Sequence, residues 1–463
     1  MIQPRGAFRW TDILNVLGGA FILTSPAFRN RFPIINSDSG TYLFSSYTNI
    51  IPWDRPLYYS YFIGWTNIYQ SLWFVVYAQN ILLAVMIWIT MKKLSPGFSV
   101  MGYFLAIILL TAFTAVAWFS SQIMTDVFTP LLLLSLALLL VDRGRGIVEM
   151  IFLLLVLFFS CLVHYSHFLL AGSIVGAVAF FKLIKRFSFK EINAKRIILS
   201  GSVVLIAIIF IPVYNFYNEG SFYLSKGGGL LFSSKLVETG LLKKYLDAHC
   251  VDDPSPLCAH KDSLPVWAPP FLYGDQSAIN IMGMDKANEE CNRLNRKIVE
   301  SYPLTLLLLS IKGGAINLFR LDAGTGIHPY DEHSAPYGPI RDSDPTEFPQ
   351  WVTSMQQGNQ LHFELLTILQ RIFVYVSLLI LLYNLCSKLL VKEWDSSLVS
   401  FAQVIIVALI LNAFITGALA SEHDDRYQSR IAWLVPLIVL IKYQARILQF
   451  FSSRFQRWNR PGA

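Results

Sequence analysis

Charge is what this sequence has least of. Only 14% of its 463 residues are Asp, Glu, Lys or Arg, against roughly 25% in an ordinary soluble domain, and that deficit excludes a chain whose main solvent is water. The sequence contains no glycine-rich phosphate loop, zinc-finger spacing or nucleic-acid motif. It also shows no internal repeat of fixed period and no low-complexity linker marking off a soluble domain. The net charge of +7 therefore does not imply a nucleic-acid partner. Its Lys and Arg recur in short segments between apolar blocks, as cytoplasmic loops facing anionic lipid require.

What the sequence has instead is apolar length. Hydrophobic residues make up 54% of it, in blocks near the ~20 residues that carry a helix across a ~30 Å hydrocarbon core. The blocks are uniformly apolar, without the alternation of a membrane barrel strand, so they predict helices. The expected fold is an all-α polytopic membrane protein with about ten transmembrane helices. The blocks fall at 12–28, 72–90, 100–119, 127–141, 147–164, 168–184, 197–214, 364–386, 397–419 and 431–447. The first lacks a small-residue cleavage site and is expected to stay as a helix.

Arg5 and Arg9 place the N-terminus inside. Lys92 and Lys93, Asp142-Arg143-Gly144-Arg145, the Lys182–Arg196 segment, Lys388 and Lys392, and the tail with Lys442, Arg446, Arg454, Arg457 and Arg460 mark further cytoplasmic positions. Exported segments follow at 29–70 and, between helices 7 and 8, at 215–362. A block at 303–319 holds Lys312-Gly313-Gly314. A full crossing there would invert every later loop, so it is expected to be interfacial or re-entrant. The divisions are 1–214, a membrane module with the first exported loop; 215–362, an exported loop domain; and 363–463, C-terminal helices with a basic tail. Both termini are expected in the cytoplasm and the chemistry on the exported face of the inner membrane. Cys250 and Cys258 flank a turn-rich stretch and would pair if exported, leaving Cys291 alone; three free thiols are the alternative.

The residues able to carry chemistry lie at block ends. The first exported loop reads Asn36-Ser37-Asp38-Ser39-Gly40-Thr41-Tyr42, then Trp53-Asp54-Arg55-Pro56-Leu57-Tyr58-Tyr59. A carboxylate just beyond a membrane helix is partly desolvated yet reaches a substrate, which suits Asp38 to general-base work; it would equally cap a helix starting at Ser39. Asp54 and Arg55 are either a surface ion pair of little worth or a phosphate ligand with its orienting carboxylate. Asp126, at a membrane edge, is a site candidate or an N-cap. His164 and His167, three apart, could share a metal ion, bind a donor sugar or phosphate, or simply fill a polar corner. The late stretch Glu422-His423-Asp424-Asp425-Arg426-Tyr427-Gln428-Ser429-Arg430 is the densest ionisable cluster. Arg426 and Arg430 would project from one helix face and clamp one phosphate, with His423 and Tyr427 beside them; a solvated charged loop is the plainer reading. His328 to His333 and Lys226-Gly227-Gly228-Gly229 read as surface loops, the latter flexible. Trp267 and Trp351 could line a sugar subsite.

An early exported loop with an acidic residue and a D-R-P-x-x-Y stretch, many apolar helices and a large late exported loop resemble the C superfamily of membrane glycosyltransferases. That superfamily includes protein mannosyltransferases and the aminoarabinose transferase of lipid A. The Arg-Tyr pair ahead of Pro436 resembles its C-terminal arrangement. The resemblance implies an inverting transfer from a polyprenyl-phosphate sugar donor to a lipid, glycan or protein acceptor. By position, Asp38 would be the base and Arg55, Arg426 and Arg430 the carrier-phosphate ligands, with no metal ligands assigned and a divalent cation left open. Asp38 departs from the Asp-Glu pair of several members, and the oligosaccharyltransferase W-W-D-x-G motif is absent, which argues against an asparagine acceptor. Two other readings stand beside this one: a polymerase or ligase of lipid-linked glycans, using His328, His333 and Arg341, and a lipid or polysaccharide transporter. The latter would want ionisable residues near mid-membrane, where the blocks have almost none.

Overall fold

The computed structural model describes residues 9–95, 97–141, 144, 146–184, 191–343, 345–387, 396–420 and 424–458. Among them the fold is helical throughout, with two isolated bridges, Ile34–Gln122 and Val141–Ile192, in place of any strand. The principal helices are α1 (Trp10–Leu23), α2 (Ser39–Thr48), α3 (Leu72–Leu94), α4 (Val100–Phe113), α5 (Phe128–Leu140), α6 (Ile147–Leu162), α7 (Tyr165–Leu183) and α8 (Ala194–Glu219). After them come α9 (Gly228–Glu238), α10 (Met284–Ser301), α11 (Pro303–Leu318), α12 (Glu364–Ser387), α13 (Ser396–Leu419), α14 (Arg426–Ala432) and α15 (Leu434–Trp458).

Among the described residues six helices are long and apolar enough to cross a membrane: Leu72–Leu94, Tyr165–Leu183, Ala194–Glu219, Glu364–Cys386, Ser397–Leu419 and Arg426–Gln449. Apolar helices of 10–17 residues cover the other expected spans and α11. The shortfall in length has local causes. The block at 12–28 breaks at Thr24, where Pro26 opens a second short helix. The block at 100–119 breaks at Thr114, whose hydroxyl bonds back to the Leu110 carbonyl while the side chain of Gln370 accepts the Ala115 N–H. Lys388, Lys392, Arg460, Asp142, Arg143, Arg145, Lys185, Arg186, Lys190, Glu422 and His423 lie outside the described residues.

At the centre stands α5, in which every residue from Phe128 to Leu140 is buried. A helix apolar on nearly all sides either faces lipid or is enclosed by protein, and here α3, α6, α7, α8, α13 and α14 enclose it. Apolar surface gains little by leaving lipid for protein, so membrane helices are held mainly by close packing and hydrogen bonds. A close backbone approach joins α11 to α13, where a Cβ on Gly417 would lie 2.1 Å from the Gly314 nitrogen and one on Gly313 2.6 Å from the Gly417 carbonyl oxygen. Asn317 completes that contact through Thr416 at 3.1 Å. The other half of α11, at Leu306 and Leu309, packs on a separate hydrophobic cluster formed by residues between Leu230 and Ile298. The Cys250–Cys258 disulfide is formed at the edge of that cluster and Cys291 is buried as a free thiol.

The two ends of the bundle differ. At one, Lys92 pairs with Asp12 at 2.8 Å, Lys93 with Glu149 at 2.9 Å, and Gln444 bonds Ser95 at 2.6 Å. The other end gathers the irregular chain. Ile34 exchanges backbone bonds with Ser121 and Ile123. Gln356 binds both Ile35 backbone groups, Gly40 lies under the Ala335 carbonyl and Gly227 donates to the Trp53 carbonyl.

Candidate functional site

The site begins with a turn. Asn36 N–H donates to Ser39 Oγ at 2.9 Å, and that hydroxyl donates to the Ile123 carbonyl at 2.8 Å. The Asn36–Ser39 turn is thereby fastened to the segment that carries Asp126. Asp38 stands at the head of α2 but makes no side-chain capping bond. Its carboxylate turns instead to two guanidiniums, Arg55 at 3.2 Å and Arg426 at 3.4 Å. Burial pushes this carboxyl up, and the two arginines more than reverse it, holding its pKa at about 2.

Arg55 also binds Asp54 at 2.7 and 3.2 Å and lies 5.1 Å over the Tyr42 ring. Asp54 in turn accepts a 3.3 Å bond from Tyr273. Arg426 reaches Asn36 Oδ1 at 3.4 Å, Asp424 at 3.3 Å and Asp126 at 3.9 Å. Arg430 takes the other Asp126 oxygen at 2.5 Å, and each of this pair is 2% exposed. The Tyr427 ring lies beside both guanidiniums, at 5.8 Å from Arg426 and 5.6 Å from Arg430. Asp126 Oδ2, Arg426 Nε and Arg430 Nε are buried with no hydrogen-bond partner.

The two histidines divide. His164 caps α7: its Nδ1 accepts the Ser166 N–H at 3.2 Å and lies 2.8 Å from the Ser166 hydroxyl. Burial, and then Arg430, Arg55 and Arg426, lower its pKa to about 3, so the ring is neutral beside the cluster. His167 Nδ1–H donates to the Ser160 carbonyl at 2.7 Å, which leaves Nε2 to accept from Thr129 at 2.8 Å. Both its nitrogens are spent tying α5, α6 and α7 together. Among the described residues no group of three or more His, Cys, Asp or Glu could hold a metal ion.

Asp38, Asp54, Arg55, Asp126, His164, Arg426, Tyr427 and Arg430 thus share one end of the bundle. Arg426 and Arg430 meet on Asp126, at 3.9 and 2.5 Å, and Arg426 also reaches Asp38 and Asp424. Other candidates fall elsewhere. His333 and Arg341 are exposed beside Glu332 and Asp342. Trp351 is fully buried and so lines no subsite. The Lys226 glycine run is no free loop, since a Cβ on Gly227 would meet the Trp53 ring at 2.2 Å and one on Gly229 the Asn288 carbonyl oxygen at 2.7 Å. Asn36, Tyr42, Tyr273 and Asp424 join the site without having been singled out in the sequence. Asn36, Tyr42 and Asp424 adjoin residues that were; Tyr273 comes from a distant segment with no local signal.

Fold and site together define an all-helical chain with several membrane-competent helices and a buried aspartate–arginine cluster at one end of its bundle. No protein-family model, curated protein or solved structure matches it.

Proposed function

We propose that this chain is a membrane glycosyltransferase of the C-superfamily kind. In this reading it moves a sugar from a polyprenyl-phosphate donor to a lipid, glycan or protein acceptor. The observation that carries the reading is that Asp38 and Arg426, 388 residues apart, share one ion pair, with Arg55 closing the other side. An inverting displacement from a phosphate leaving group needs a carboxylate as base and guanidiniums for the leaving phosphate, and both are gathered here. Asp38 takes the acceptor's proton, the acceptor oxygen or nitrogen bonds to the sugar C1, and the C1–O bond to phosphate breaks. The electron pair stays on the phosphate, whose growing charge Arg55 and Arg426 offset. Arg430 and Asp126 fix Arg426 from behind.

The topology belongs to the same proposal: ten crossings of the inner membrane, with α11 dipping in without crossing. The termini and the Lys92 end face the cytoplasm, and the arginine cluster faces the exported side. The lysines at one end of the bundle and the disulfide at the other support it. The polymerase or ligase alternative gains no support, because His333 and Arg341 are exposed and pair with their chain neighbours Glu332 and Asp342.

The test is transfer from a polyprenyl-phosphate sugar in proteoliposomes. Asp38→Asn should lose about 10²–10⁴-fold in rate, the contribution of a positioned base. Arg426→Lys, which keeps charge but loses the planar fork, should also fall well below wild type. Near-normal transfer by both variants would remove the cluster from catalysis.

A further inference from the structure

The cluster has a charge imbalance. Among the described residues three guanidiniums, Arg55, Arg426 and Arg430, meet four carboxylates, Asp38, Asp54, Asp126 and Asp424, so one negative charge is in excess. His164 is neutral and cannot correct it. The nearby cations Arg320 and Arg371 are each paired, with Asp425 and Asp322. A phosphodiester entering as a further anion would therefore be repelled, unless one carboxylate gives way or gains a proton.

The four carboxylates are not equally free to do so. The Asp126, Asp54 and Asp424 side chains are 2%, 9% and 14% exposed, whereas Asp38 is 30% exposed. Asp38 is also held at longer range, 3.2 Å from Arg55 and 3.4 Å from Arg426, while Arg55 lies 2.7 Å from Asp54 and Arg430 2.5 Å from Asp126. The remaining titratable groups facing it are Tyr42, Tyr273, Tyr330 and Tyr427, together with Asp54 behind Arg55. None of those tyrosines is an acid at ordinary pH.

We propose that Asp38 occupies the place of the donor phosphate in the resting site, and that a phosphodiester arriving on Arg55 and Arg426 displaces it. The inference rests on the glycosyltransferase reading and adds an order to it: donor first, acceptor activation second. A carboxylate locked between two guanidiniums is a weak base. Once the phosphate takes those guanidiniums, the freed Asp38 loses the interactions that favour its charged form and gains proton affinity. The base is armed only when there is a leaving group to expel, and the resting enzyme leaves acceptor hydroxyls alone.

Because displacement raises the proton affinity of Asp38, binding must tighten as pH falls through the window between its resting and displaced pKa values. The probe is farnesyl methyl phosphate, a diester of fixed single charge, titrated calorimetrically into the detergent-solubilised full chain. Two buffers of different ionisation enthalpy are used, at about pH 5 and pH 7.5. Wild type should take up protons on binding at the lower pH, and Asp38→Asn should take up none and bind about tenfold tighter at the higher. Dimethyl phosphate should bind more weakly than the farnesyl ester. Unchanged or weaker binding by Asp38→Asn overturns the exchange but leaves the phosphate site, provided Arg426→Lys still weakens wild-type binding. Wild-type binding no stronger than that of an Arg55→Ala/Arg426→Ala variant overturns the site and with it the glycosyltransferase reading. If Asp38→Asn does not fold, wild-type proton uptake decides: its absence overturns the exchange. Equal affinity for dimethyl phosphate overturns the lipid assignment.

Discussion

An acidic or imidazole side chain at the head of a helix can serve the helix or something beyond it, and only the direction of its polar atoms tells which. Asp38 and His164 both stand at such heads. His164 serves its helix through Ser166, while Asp38 leaves α2 uncapped and faces Arg55 and Arg426. The same ambiguity attaches to Arg426 and Arg430, four apart in sequence and alike in type, of which one reaches Asp38 and the other is sealed against Asp126. That buried pair is testable alone. Removing one partner leaves an uncompensated charge and costs about 3–5 kcal/mol, so Arg430→Met should markedly lower the unfolding midpoint in detergent. Arg430→Met with Asp126→Leu should recover most of the loss. A single variant as stable as wild type would show that the pair is open to water.

Helices were legible where composition is one-sided and illegible where one residue interrupts it. The block at 72–90 became an uninterrupted helix, Leu72–Leu94, but Thr24 and Thr114 each end a helix inside an apolar block. Nothing in hydropathy registers a threonine hydroxyl bonding back to its own helix, nor a glutamine 255 residues away accepting the next N–H. The glycines of α11 were visible as a polar interruption, yet their purpose depends on a partner that sequence does not name. Because a Cβ on Gly417 would sit 2.1 Å from a backbone nitrogen of α11, no rotamer can relieve it. Gly417→Ala should force the helices apart and cost about 1–3 kcal/mol, the usual penalty of overpacking. Thermal unfolding in detergent reads this out, and an unchanged midpoint would mean the two helices do not meet there.

At the scale of the whole molecule, the proposed topology makes the irregular end of the bundle the outside. Val266 and Glu332 are well exposed there, Leu183 at the opposite end. Cysteines introduced at 266 and 332, in a Cys386→Ser background, should react with an impermeant thiol reagent on intact cells. A cysteine at 183 should react only after permeabilisation, and the reverse pattern would invert the protein. The placing of polar segments at one end could be read from loop composition. Their mutual packing could not, because Tyr273, Gln356 and Ala335 reach the first loop from segments hundreds of residues later. The enclosed α5 also bears on how the protein is made. It emerges from the ribosome well before α13 and α14, the late helices that help to surround it. Under the proposed ten-crossing topology, a newly inserted α5 waits in the bilayer, a thirteen-residue helix about 20 Å long in a hydrocarbon layer of ~30 Å, its final environment not yet synthesised. On that topology, the C-terminal helices complete the enclosure of α5. A chain ended after residue 395 should be cleared by quality-control proteolysis far faster than full-length protein in a pulse–chase, although every residue that touches α5 from its N-terminal side is present.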